Sequence, residues 1–123
     1  MISRPFDEIL PEHISGRWKV KSSTLSPQAD YFRLASVVEH TFQADGTYSV
    51  AGPEPASGTW SIERNEEIIP NPIIYFELPN PRTNISAMIT RLAYMPYTAT
   101  KRDEMILYFS NGCELVLEKI QNL

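Results

Sequence analysis

His40 and Tyr48 are the side chains whose types and spacing best fit proton-transfer chemistry in this sequence. Val38, His40 and Phe42 share one face of an alternating run, so the imidazole is predicted to point into the protein. An imidazole titrates near neutral pH, and a nearby phenol could act as its acid partner. The pair allows an acid–base reaction, and the alternative is a core histidine that is hydrogen-bonded to a neighbour.

Other catalytic or metal-binding groups have weaker support. His13, the only other histidine, lies far from His40 in sequence, so neither a metal site nor a cofactor is predicted. Cys113 follows a turn with no motif around it, which favours a structural thiol. The adjacent carboxylates Glu66–Glu67 and Asp103–Glu104 lie in predicted turns, where solvation explains them. No trio of nucleophile, base and orienting acid has a signature, so a non-catalytic protein is favoured.

Composition predicts one globular domain that spans residues 1–123, with 42% hydrophobic and 21% charged residues. The net charge is −4 and the 11 basic residues are scattered, which argues against a nucleic-acid partner. No apolar run approaches the roughly 18 residues that a membrane-spanning helix needs. The first 20 residues carry acidic side chains and no signal-peptide pattern, and there is a single cysteine. A cytoplasmic protein without a membrane partner is therefore predicted.

Alternation of apolar and polar residues predicts eight short strands. They span residues 17–24, 36–44, 47–51, 59–64, 73–78, 86–94, 104–110 and 113–120. Asp45–Gly46 and Asn111–Gly112 are hairpin signals, whereas two prolines and two glycines make 52–58 a loop that cannot continue a ladder. Residues 6–14 predict a short helical turn across one mouth. The fold is therefore predicted to be all-β, an eight-stranded up-and-down antiparallel β-barrel with a short N-terminal helical turn.

A barrel of this size can be filled by side chains or can hold one small ligand. The residues predicted to face inward are mostly apolar, with two polar members, and would form a ligand cavity or a packed core. They are Trp18, Phe42, Tyr48, Trp60, Met88, Leu107, Phe109, Leu115 and Leu117, with His40 and Tyr75 as the polar members. The candidate cavity residues are His40, Phe42, Tyr48, Trp60, Tyr75, Met88 and Phe109.

Several stretches resemble the lipocalin-like (calycin) superfamily, in particular its small bacterial lipocalin-like domains. Phe6–Asp7 followed by ISGRW at 14–18 is similar to the opening signature of the family, and HTFQADGTY and GTWSI are similar to its second to fourth strands. The resemblance implies a barrel that binds a small apolar molecule, with Gly16 and Trp18 as fold residues. Lys119, with Arg91 and Arg102 as alternatives, would replace the family's arginine over the tryptophan ring. The acidic-aromatic turn before the seventh strand is absent in its usual form.

The two most apolar predicted strands indicate self-association. Residues 73–76 and 105–109 are apolar on both faces, so the sequence predicts that something covers their outer side. The cover is either the 25–35 segment or a second subunit, and a homodimer through strands 73–78 and 104–110 is predicted. The leading functional hypothesis is small apolar ligand binding. The alternatives are a protein-interaction module with a filled barrel and a chromophore-handling or isomerase-type enzyme. Trp18 would mark the closed end, and the function would lie at the opposite mouth, near residues 25–35 or the Asp45–Gly46 hairpin.

Overall fold

The computed structural model describes residues 2–24, 38–52, 55–64, 69–79, 82–94 and 102–123. A 3₁₀ turn over Phe6–Glu8 and a four-residue helix, α1 (Pro11–Ile14), are the helical elements of these ranges. The strands are β1 (Ile2–Ser3), β2 (Gly16–Thr24), β3 (Glu39–Phe42), β4 (Thr47–Ala51), β5 (Ala56–Glu63), β6 (Ile73–Pro79), β7 (Arg82–Tyr94), β8 (Glu104–Phe109) and β9 (Glu114–Gln121).

Strands β2 to β9 form a closed antiparallel barrel. Each strand pairs with the next one in sequence, and β9 pairs with β2 to complete the circle. Closure leaves no free edge within this set of strands. The short β1 pairs with the end of β7, where Ile2 lies opposite Tyr94. The predicted fold class is confirmed, including the short N-terminal helical turn.

The Asp45–Gly46 turn shows why the sequence predicts hairpins well. Gly46 has φ +92°, a backbone conformation that glycine adopts without a steric penalty. The Asp45 carboxylate accepts hydrogen bonds from the backbone N–H and the hydroxyl of Thr47, at 3.0 and 2.7 Å. These contacts fix the turn, and with it the register of β3 against β4.

The strand boundaries differ from the predictions at several places. β3 covers only Glu39–Phe42 of the predicted strand 36–44, of which residues 36 and 37 lie outside the described ranges. The loop prediction is wrong for residues 56–58, which begin β5 and pair with β4. Gly58 lies opposite Tyr48, and a Cβ atom at this position would overlap the carbonyl oxygen of Glu77. Glycine here permits close approach of a neighbouring strand rather than a chain reversal.

The N-terminal segment covers the end of the barrel at which β2 begins, hereafter the closed end. Ile9 and Ile14 are fully buried there. The indole N–H of Trp18 donates a hydrogen bond to the Ile14 carbonyl at 2.8 Å. The Asp45–Gly46 hairpin also lies at this end, because it follows Phe42, whose register partner is Gly16. Its prediction at the opposite mouth is therefore wrong, and residues 25–35 lie outside the described ranges.

The interior contains most of the residues predicted to face inward. Phe42, Tyr48, Trp60, Phe109 and the three leucines at 107, 115 and 117 are buried. Tyr75 is a correction: it is 40% exposed on the outer face of β6, while its neighbours Ile74 and Phe76 are buried. Residues 73–76 are apolar on both faces, so alternation within them could not assign the inner one; Glu77 shares the outer face with Tyr75.

Met88 is the second correction. Its side chain is only partly buried, and Ala87 and Ile89 fill the inner face of β7 instead. A register shift between Ile89 and Arg91 changes the alternation along this strand, which brings Leu92 to the inside. A regular period of two therefore cannot describe the whole of β7.

Candidate functional site

The candidate site is the buried pair formed by His40 on β3 and Tyr48 on β4. The hairpin register places Tyr48 directly opposite Phe42, which makes His40 its diagonal neighbour on the same inward face. His40 Nδ1 and Tyr48 Oη lie 2.6 Å apart, and the two residues are 0% and 1% exposed. The sequence prediction that both residues face inward is confirmed, and the structure adds a direct hydrogen bond between them.

The second ring nitrogen of His40 is the unusual feature of this pair. His40 Nε2 is buried and has no hydrogen-bond partner among the described residues. If the Tyr48 hydroxyl donates to Nδ1, the proton of the neutral imidazole lies on Nε2. If Nδ1 carried the proton instead, Nε2 would be an acceptor without a partner among the described residues, and the hydroxyl proton of Tyr48 would also lack an acceptor there. The first arrangement leaves fewer polar groups unpaired, so His40 presents a donor N–H to the interior.

Burial also determines the charge of the pair. Desolvation lowers the pKa of His40 from 6.5 to about 3, and it raises the pKa of Tyr48 well above its ordinary value. Both side chains are therefore neutral at physiological pH. A general base works best when its pKa lies near the working pH, so the pair is suited to hydrogen bonding rather than to proton transfer.

An aromatic cluster packs beside the pair. The Phe42 ring lies 5.1 Å from Tyr48, 5.4 Å from Trp60 and 6.0 Å from Phe76, measured between ring centroids. Phe76 lies 6.4 Å from Phe109. The rings are at contact spacing, so this part of the barrel is a packed core. The indole N–H of Trp60 donates to the Gln43 carbonyl at 2.9 Å, so its polar group is already paired.

Trp18 and Lys119 lie at the closed end, next to the candidate site, because Trp18 is the register partner of His40 on β2. The Lys119 amine lies 5.0 Å from the centroid of the Trp18 ring and donates to the His13 carbonyl at 3.0 Å. Burial is the main cause that lowers the pKa of Lys119. This is the geometry that the family resemblance implies for Lys119. Beside it, Gly16 permits close approach, because a Cβ atom there would meet the Gln121 carbonyl oxygen at 2.7 Å.

A groove on the outside of the barrel is the feature that sequence reasoning missed. It has a volume of about 500 Å³ and crosses the outer faces of β5, β6 and β7. Tyr75 lines it together with the carboxylates Glu63 and Glu77 and the amide of Asn84. The signal in the sequence is that Tyr75 lies two residues from Glu77 and therefore shares its face of β6, whereas the sequence prediction put Tyr75 on the inner face.

Metal and membrane features have little support in the described part of the chain. Its His, Cys, Asp and Glu side chains form no group of three or more that could hold a metal ion. The one cysteine, Cys113, is buried and unpaired by any disulfide. Within the same ranges, no helix has the length and apolar character needed to cross a membrane.

Comparisons of the chain with protein-family models, with curated proteins and with solved structures found no match. The resemblance to lipocalin-like proteins therefore stays a prediction that rests on the residues quoted for it. The barrel shape is shared by proteins with many activities, so the candidate site has to be argued from its own chemistry.

Proposed function

We propose that this protein binds one small, largely apolar molecule inside the barrel, and that His40 Nε2 donates a hydrogen bond to it. The observation that carries the proposal is the buried Nε2 atom without a partner among the described residues. An unpaired buried donor costs about 1–3 kcal/mol of stability. A ligand that carries an acceptor would recover this cost, and this is the usual logic of a polar group kept inside an apolar site.

The surroundings of His40 support an apolar ligand. Its register partners are Val50 on β4 and Trp18 on β2, which are 5% and 0% exposed, and the Phe42 ring stacks on the imidazole at 6.3 Å between ring centroids. Such walls favour hydrocarbon groups through the hydrophobic effect and offer few other hydrogen bonds. A single donor in an apolar site determines how the ligand is oriented more than how tightly it binds.

The neutral state of His40 restricts the polar group of the ligand. An anion would lose its hydration without gaining an opposite charge from the imidazole, because the His40 pKa is about 3. A neutral acceptor, such as a ketone or amide carbonyl, avoids this penalty and matches the N–H donor.

The test is a fluorescence titration with the naphthyl ketone prodan, which is apolar and carries one carbonyl acceptor. We expect saturable quenching of Trp18 and Trp60 emission and an emission shift of prodan that reports a hydrogen-bonded carbonyl. The double variant His40→Phe/Tyr48→Phe removes both polar partners, so it is expected to stay folded and to weaken binding about fivefold to tenfold, the value of one neutral hydrogen bond.

Tyr108→Phe is the matched control, because it removes the hydroxyl of a tyrosine that is 42% exposed on the outer face of β8. It should bind prodan as the natural chain does. Failure of the natural chain to bind prodan, or equal affinity of the double variant and the natural chain, would contradict the proposal. A melting curve of each variant separates loss of binding from loss of folding.

A further inference from the structure

The outer groove differs from the interior site in both position and chemistry. It lies on the solvent side of β5, β6 and β7, whereas His40 lies on the inner side of the barrel wall. Its volume of about 500 Å³ falls within the range of small-molecule sites. The two sites can therefore be tested independently.

The groove is acidic. Glu63 and Glu77 line it, and none of its lining residues is Lys or Arg. The ion pairs of the described residues involve the carboxylates of Glu39, Glu104 and Glu118, so neither groove carboxylate is neutralised by a described side chain. Two solvated negative charges without an ion-pair partner among the described residues attract a cationic ligand.

The register defines the spacing of these charges. Glu63 lies opposite Ile73, and Glu77 lies four residues further along β6, which separates the two positions by about 13 Å along the strand. The separation is too great for both carboxylates to bind one metal ion. It suits a ligand with two positive charges at the ends of an extended chain.

Tyr75 lies midway between the two carboxylates on the same face of β6. Its ring is 40% exposed, and its register partners Ser61 and Ser86 also line the groove. An aromatic face attracts alkyl groups and ammonium ions, and the serine hydroxyls can accept hydrogen bonds from N–H groups. The centre of the groove thus complements the middle of a linear amine.

We infer that the outer groove binds a linear polyamine, with one terminal ammonium at Glu63, the other at Glu77 and the chain across Tyr75. Asn84 lies opposite Glu77 in the register and adds an amide oxygen at that end. Spermidine is the probe with the required length and charge. Butylamine carries a single ammonium on a four-carbon chain, so it cannot reach both carboxylates.

The experiment is isothermal titration calorimetry with spermidine at low ionic strength, where exposed charges are least screened. We expect saturable binding that weakens with added salt and a much lower affinity for butylamine. Glu63→Gln/Glu77→Gln should weaken spermidine binding about tenfold, since exposed ion pairs contribute modestly and two are lost. Tyr75→Ser should weaken it about threefold.

The matched control is Glu8→Gln/Glu12→Gln, which changes the net charge equally at the closed end, outside the groove. It should retain the natural affinity. Equal weakening by the control and the groove variant would show non-specific charge attraction and overturn the inference. Absence of spermidine binding to the folded natural chain would also overturn it. Both results leave the interior site untouched, because prodan binding reports that site separately.

Discussion

His40 combines deep burial with an incomplete set of hydrogen bonds. The hydrogen bond from Tyr48 satisfies one ring nitrogen at 2.6 Å, while the other has no partner among the described residues. Most buried polar atoms in folded proteins are paired, so an exception needs a physical reason. We attribute this one to ligand binding, which makes the protonation state of His40 the first property to measure.

The first prediction concerns the pH dependence of stability. The folded state keeps His40 neutral down to a pKa of about 3, whereas the unfolded chain gains a proton below 6.5. The stability that the neutral, buried His40 contributes to the folded state is fully present above pH 6.5, and it is lost progressively as the pH falls toward 3. Between pH 7 and pH 5 the free energy of unfolding should fall by about 2 kcal/mol through this group alone.

Urea unfolding of the natural chain and of His40→Phe/Tyr48→Phe at both pH values isolates this contribution. His13, whose pKa is lowered chiefly by burial, is present in both proteins and cancels. The natural chain should lose about 2 kcal/mol more than the double variant between pH 7 and pH 5. Equal losses would mean that His40 titrates normally and is not buried as described.

The residues of the candidate site were partly predictable from the sequence. Alternation within 38–42 and 47–51 placed His40 and Tyr48 on inner faces, because the opposite faces of these strands are polar. The same rule failed at Tyr75, where both faces are apolar, and at Met88, which lies before a register shift. The hydrogen bond to Tyr48, and the lack of a partner for Nε2 within the described ranges, depend on three-dimensional placement that one strand cannot encode.

Among the elements, β5 shows how close approach of strands shapes the barrel. Gly58 pairs with Tyr48 on one side and leaves no room for a Cβ atom beside the Glu77 carbonyl on the other. Gly58→Ala should therefore lower the free energy of unfolding by about 2 kcal/mol or more, because backbone rather than a flexible side chain must move.

Ser57→Ala is the control for this substitution, since Ser57 is the preceding, exposed residue of the same strand. It should change the stability by less than about 0.5 kcal/mol. Thermal and urea unfolding of both variants measure the difference. If Gly58→Ala is as stable as the natural chain, the packing of β5 against β6 is looser than described.

The elements themselves were more predictable where local chemistry determines them. Asp45–Gly46 and Asn111–Gly112 define their hairpins through short-range contacts, such as the hydrogen bond from the Cys113 N–H to Asn111 Oδ1 at 3.0 Å. β1 was not predicted, because two residues give no period and its partner, the end of β7, is distant in sequence. Residues 56–58 were missed because glycine usually indicates a loop.

At the scale of the whole molecule, closure of the barrel pairs strands β2 to β9 with one another. The role of the outer surface then has to be measured. An apolar row crosses three strands on the outside, where Met88 pairs with Ile73 on one side and with Tyr108 on the other. We expect this row, rather than the groove at Tyr75 and Glu77, to mediate the homodimer that the sequence predicts through 73–78 and 104–110. Sedimentation velocity should show a dimer at tens of micromolar, and Tyr108→Lys should shift it toward the monomer. A natural chain that remains monomeric would contradict this prediction.

The most direct test of the central claim is ¹⁵N nuclear magnetic resonance of the His40 ring at pH 7, with and without prodan. The account predicts a neutral imidazole whose Nδ1 has the chemical shift of an acceptor and whose Nε2 has that of a protonated nitrogen. Saturation with prodan should move the Nε2 resonance and leave Nδ1 bonded to Tyr48. A protonated His40, or an Nε2 resonance that does not change at saturating prodan, would contradict the account.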